Sequence, residues 1–62
     1  MSNIAHQIRH YEHRIIKMHQ QANRAYKNQH NIIAIDCLNR AMNYEIKLNL
    51  LKGLLNENTG TN

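Results

Sequence analysis

Residues 4–25, IAHQIRHYEHRIIKMHQQANRA, and residues 34–55, AIDCLNRAMNYEIKLNLLKGLL, decide the fold between them. In the first stretch Ile4, Ile8, Tyr11, Ile15, Met18, Ala22 and Ala25 recur at alternating spacings of four and three, the rule for one helix face packed against another helix. In the second, Ala34, Cys37, Ala41, Tyr44, Leu48, Leu51 and Leu55 alternate three and four. Between them lies Lys27-Asn28-Gln29-His30-Asn31, whose asparagines accept turn and capping conformations. So short a connection makes the helices antiparallel neighbours. Ile4 then faces Leu55, Ile8 Leu51, Tyr11 Leu48, Ile15 Tyr44, Met18 Ala41, Ala22 Cys37 and Ala25 Ala34. The residue numbers of every pair add to 59, which centres the reversal between Gln29 and His30.

The expected fold class is therefore all-α, an antiparallel two-helix hairpin over residues 1–56. Helix one spans about 3–27, the turn about 28–31 and helix two about 32–56. The facing residues nearest the turn are small, so the helices should approach most closely there. Ser2 or Asn3 can cap helix one and Asn31 helix two, with Asp36 near the positive end of the latter and paired with Arg40 at i, i+4. Gly53 could end helix two early, whereas Leu55 in the seam carries it to Asn56. The polar remainder, 57–62, is expected to be disordered.

The totals narrow the function classes. Sixty-two residues leave room for one small core, and two glycines with no proline suit helices better than a many-turned β-fold. Cys37 is the only cysteine, so an intrachain disulfide and a four-cysteine zinc site are both excluded. No stretch approaches 18 apolar residues and Met1–Ala5 does not resemble a secretory leader, so a cytoplasmic protein that does not span a membrane is expected. Eight Lys/Arg against four Asp/Glu give +4 at pH 7, with five histidines able to add charge in mild acid. Such a chain favours acidic partners.

Helix two carries a second apolar row away from the seam: Ile35, Leu38, Met42, Ile46, Leu50 and Leu54, joined near its start by Ile32 and Ile33. One partner helix cannot cover it. We therefore expect homodimerisation into a four-helix bundle, with that row as the dimer interface. A slightly wide core stripe that leaves leucines exposed, and a host protein covering the same row, are the two other readings to weigh.

Helix one holds Arg9, Arg14, Lys17, Arg24 and Lys27 against Glu12 alone, while helix two and the tail balance three bases with three acids. His6, Arg9, His10, His13, Arg14, Lys17 and Arg24 are the candidate partner-binding residues. The outer stripe among them is about 25 Å long, enough to follow a phosphate backbone. Charged residues also simply keep a helix solvated, and Tyr26 is as readily a packing residue as a base-stacking one. The spacing of His6, His10 and His13 is one at which imidazoles can share a zinc ion, but no carboxylate or cysteine joins them, so a solvated face and no metal are expected. Cys37 sits among alanines with no neighbouring base, as a core residue does. No paired carboxylates, glycine-rich phosphate loop or Ser-His-Asp set is present. No enzyme, catalytic residue, cofactor or small-molecule substrate is expected.

In outline, two helices of about 25 residues joined by a short polar turn resemble the Rop family of plasmid copy-number regulators, dimeric hairpins that bind paired RNA loops. That likeness is architectural, and this chain is basic where that family is acidic. The histidine-rich opening helix and the YEIKLNLLKGLL ending (Tyr44 to Leu55) also resemble the small helical early proteins of the exo–xis region of lambdoid phages. That resemblance implies an accessory factor in the host cytoplasm that binds a host macromolecule to influence host physiology or the lysis–lysogeny choice. The alternative from the residues themselves is a dimeric hairpin that binds RNA or DNA through the basic face of helix one.

Overall fold

The computed structural model describes the backbone of residues 3–59 and the side chains of residues 3–56. It contains two helices, α1 (Ile4–Lys27) and α2 (Asn31–Thr59), with no strand among the described residues. They lie against each other as an antiparallel pair, a rod 50 Å long. The antiparallel sense is visible in the cross-contacts: Glu12 near the start of α1 meets Lys52 near the end of α2, and Gln21 meets Cys37 closer to the turn.

The core follows the seam. Ile8, Met18, Ala22, Ala25, Ala34, Cys37, Ala41 and Leu48 are buried, and Ile4, Tyr11, Ile15, Tyr44, Leu51 and Leu55 are half-buried. Outside these fourteen, Gln7 and Arg14 are the only described side chains that are not exposed. Small residues near the turn are the most thoroughly covered, with Ala41 at 1% exposure, because an alanine offers little surface and its neighbours close over it.

Asn3 caps α1, its Oδ1 accepting from the His6 amide at 2.7 Å, while Ser2 lies outside the described residues. At the other end Gln29 takes φ 63°, the left-handed region. The Gln29 amide donates to Tyr26 O at 3.0 Å and the His30 amide to Ala25 O at 2.8 Å, the paired bonds that close a helix with one left-handed residue. The turn is thus a helix stop followed at once by a helix start. The Ala34 amide donates to His30 O at 3.0 Å, so His30 rather than Asn31 occupies the capping position of α2, and Asn31 is its first helical residue. Asp36 lies past the first turn, too far along to answer the positive end, and holds Arg40 instead, with 3.1 Å between Oδ2 and Nε.

The expected end of the second helix needs correcting as well. Gly53 does not adopt a positive φ, the conformation a terminating glycine needs, and α2 runs on past Asn56 to Thr59. The expected disordered tail therefore begins in helix, and residues 60–62 lie outside the described residues.

Candidate functional site

The hairpin offers four surfaces outside the seam: the outer faces of α1 and α2 and the two flanks where the helices meet. The outer face of α2 is apolar. Ile35 is 58% exposed, Met42 58%, Ile46 55% and Leu50 65%, and Leu38 and Leu54 about half that of an open chain at 45% and 49%. Ile32 and Ile33 extend it towards the turn. Leu38, Met42, Ile46, Leu50 and Leu54 are spaced four apart, and four residues advance about 40° beyond a full circle. The row therefore winds as a ridge, from one flank at Leu38, across the side directly opposite α1 at Ile46, to the other flank at Leu54. This explains why α2, although rich in leucine and isoleucine, has no single apolar side: seam and ridge oppose each other.

The flanks differ in chemistry. On the first, Glu12 Oε2 lies 3.8 Å from Lys52 Nζ and Glu45 Oε2 lies 3.9 Å from His19 Nε2, a pair that is ionic when His19 is protonated. Tyr26, 69% exposed, and Leu38 line one shallow groove with His19, Asn23 and Ala34 on the same side. The residue numbers of Glu12 with Lys52, His19 with Glu45 and Tyr26 with Leu38 all add to 64. That regularity is what an antiparallel seam imposes on the positions just beside it.

On the second flank the same rule pairs Gln7 with Lys47, Arg14 with Arg40 and Gln21 with Ile33, all adding to 54. Gln7 and Lys47 line one shallow groove with Tyr11, Leu50 and Leu51. Here like charge faces like. Arg14 turns onto the seam instead: its Nη2 donates to Tyr44 Oη at 3.3 Å and its guanidinium lies 5.6 Å from the centre of the Tyr44 ring. Tyr11 lies against the same ring, 5.6 Å between centroids. The hydrogen bond from Arg14, then its charge, hold the Tyr44 phenol below its ordinary pKa; burial opposes this, and the charges of Lys47 and Arg40 add to it. Arg14 thus touches this hydroxyl, and Arg40 and Lys47 act on it only through their charge.

Of the partner-binding residues expected from sequence, Arg14 sits in this flank, half-buried. His10, Lys17 and Arg24, seven residues apart, run along its outer side, and His6 and His13 occupy the outermost face of α1, all exposed. Arg9 falls on the side of the exposed Ile16, away from the others. Arg40, Lys47 and Tyr44 belong with Arg14 and were not foreseen. Register arithmetic carried one position out from the seam was the available signal. No three His, Cys, Asp or Glu side chains gather at metal-binding distance among the described residues, and no described helix is long and apolar enough to cross a membrane. Cys37 is buried, its Sγ 4.0 Å from the Gln21 carbonyl oxygen.

Fold and surfaces together define a two-helix hairpin with an apolar outer ridge and one basic flank. Comparison of the chain with family models, curated proteins and solved structures finds no match.

Proposed function

We propose that this chain is a non-enzymatic interaction protein that pairs with a second copy through the outer face of α2 and offers its basic surface to a macromolecular partner. The observation that carries the reading is the winding ridge from Leu38 to Leu54, five large aliphatic side chains each 45% exposed or more and none interrupted by charge along the ridge itself. Apolar surface of that extent is the mark of an interface. A second copy suits it because ridges of residues four apart interdigitate with ridges of the same kind, at a crossing angle of about −50°. In the resulting four-helix assembly the two α2 helices meet in the middle and the two α1 helices lie outside, because ridge and seam are on opposite sides of α2. Each α1 then keeps its basic face in water, available to a partner.

The resemblance to early proteins of lambdoid phages would make that partner a component of the host cytoplasm and the role regulatory. Sedimentation at micromolar concentration tests the pairing. A particle of twice 7.3 kDa is expected, and Ile46→Glu should return it to a monomer. A wild-type monomer under those conditions overturns the pairing.

A further inference from the structure

We infer that the flank bearing Arg14, Arg40 and Lys47 binds the phosphodiester backbone of a double-stranded nucleic acid. This deepens the reading that the basic surface meets a macromolecule and rests on it. Two flanks border the same seam under the same register rule, so their difference is a comparison controlled by the fold. On one, acids answer bases across the helices: Glu12 meets Lys52 and Glu45 meets His19. On the other, register sets Arg14 opposite Arg40 with Lys47 two turns further along α2, and Lys17 continues the surface on α1. Asp36 is the one acid there among the described residues, engaging Arg40 through Nε at 3.1 Å. A hairpin serving only its own stability would place an acid at one of the facing positions, since opposed like charges cost and opposed unlike charges contribute. Arg14 is engaged by Tyr44 and Arg40 by Asp36, and an external phosphate can take the guanidinium N–H donors that those contacts leave over.

The choice of partner follows from what else the flank presents. The cations stand on two helices, and Arg40 and Lys47 are about 10 Å apart along α2, about the axial rise of three base pairs of a duplex. Tyr11 and Tyr44 on this side are half-buried against each other, and the well-exposed Tyr26 lies on the opposite flank. The surface therefore lacks the open aromatic platforms on which single-stranded bases stack. Backbone contact to a duplex, with no reading of bases, is the mode that remains.

The test is fluorescence anisotropy of the full chain with labelled 20-base-pair duplexes, one RNA and one DNA, starting in 50 mM salt. The RNA and DNA arms tell which backbone geometry the flank fits. Binding is expected to at least one, weakening about a hundredfold when salt is quadrupled, as four phosphate contacts require. Arg40→Gln with Lys47→Gln should weaken it tenfold or more and flatten the salt slope by about 2, while Lys52→Gln on the other flank changes it less than twofold. Should the double variant lose its helical circular dichroism, Asp36→Asn serves instead, and a severalfold gain in affinity is expected. No binding of either duplex in 50 mM salt, or equal losses from variants on both flanks, overturns the inference. Poly-L-glutamate competing as well as duplex at equal charge also overturns it, while leaving the basic surface as a docking site for an acidic protein. Failure of duplex and polyglutamate alike removes the macromolecular partner of the proposed function too.

Discussion

The two flanks of the hairpin share a seam, a register and a solvent, yet on one acids of each helix meet basic side chains of the other, while on the second the single ion pair, Asp36 with Arg40, lies within α2. On the first, Glu12 with Lys52 and His19 with Glu45 link the helices, and Tyr26 with Leu38 closes the series near the turn. On the second, register sets the positions of Arg14 and Arg40 opposite each other, and each side chain takes another partner, Tyr44 for the one and Asp36 for the other. Stability alone does not ask for that difference, because it is the first flank that follows the rule for complementary neighbours. The contrast separates what holds the helices together from what the molecule shows to others.

The comparison can be broken or sharpened in several ways. The largest effect should come from the seam both flanks share: Leu48→Ala, at a position 8% exposed, is expected to cost about 2–4 kcal/mol in urea unfolding and to abolish both flanks together. Gln29→Gly relieves a left-handed residue without touching either flank, and should raise stability by about 1 kcal/mol with no change in surface charge. Glu12→Lys makes the first flank imitate the second by setting lysine against Lys52. A loss of about 0.5–1 kcal/mol is expected, recovered when Lys52→Glu is added; an unchanged double-mutant cycle would show that the pair contributes nothing.

A smaller change isolates the second flank. Arg14→Gln should move the ionisation of Tyr44 upward towards that of an ordinary phenol, read by absorbance titration. In the wild type the folded chain releases this proton at lower pH than the unfolded chain. The titration therefore adds stability only as pH rises through the folded pKa towards the unfolded value of about 10, and contributes none near neutrality. The smallest effect is expected from zinc: at equimolar concentration it should leave the thermal midpoint where it was, and a rise of several degrees would make His6, His10 and His13 a site.

Much of this was legible from residue spacing. The fourteen seam positions, the reversal at Gln29 and His30, and the exposed row on helix two follow from two apolar periodicities and a constant sum, because a helix face is a property of spacing alone. The errors were local. His30 displaced Asn31 as the cap since the left-handed turn at Gln29 consumes no further residue before α2 begins. Gly53 was passed through because glycine permits a positive φ but does not impose one. The basic flank was half seen, as a stripe on helix one, since a charge on one helix gives no sign of which charge on the other will face it until the register is applied beyond the core.

By itself the sequence determined that two amphipathic segments exist, how they mate and which aliphatic side chains are left over, for these depend on periodicity and on the short reach of the link between them. Only the tertiary arrangement decided that Glu12 and Glu45 reach Lys52 and His19 across the seam, and that Arg14 turns onto Tyr44, whose hydroxyl also feels the charges of Lys47 and Arg40. Electrostatic neighbourhood is a matter of distance through space, and residues 26 to 33 apart in the chain become neighbours when the rod folds back on itself.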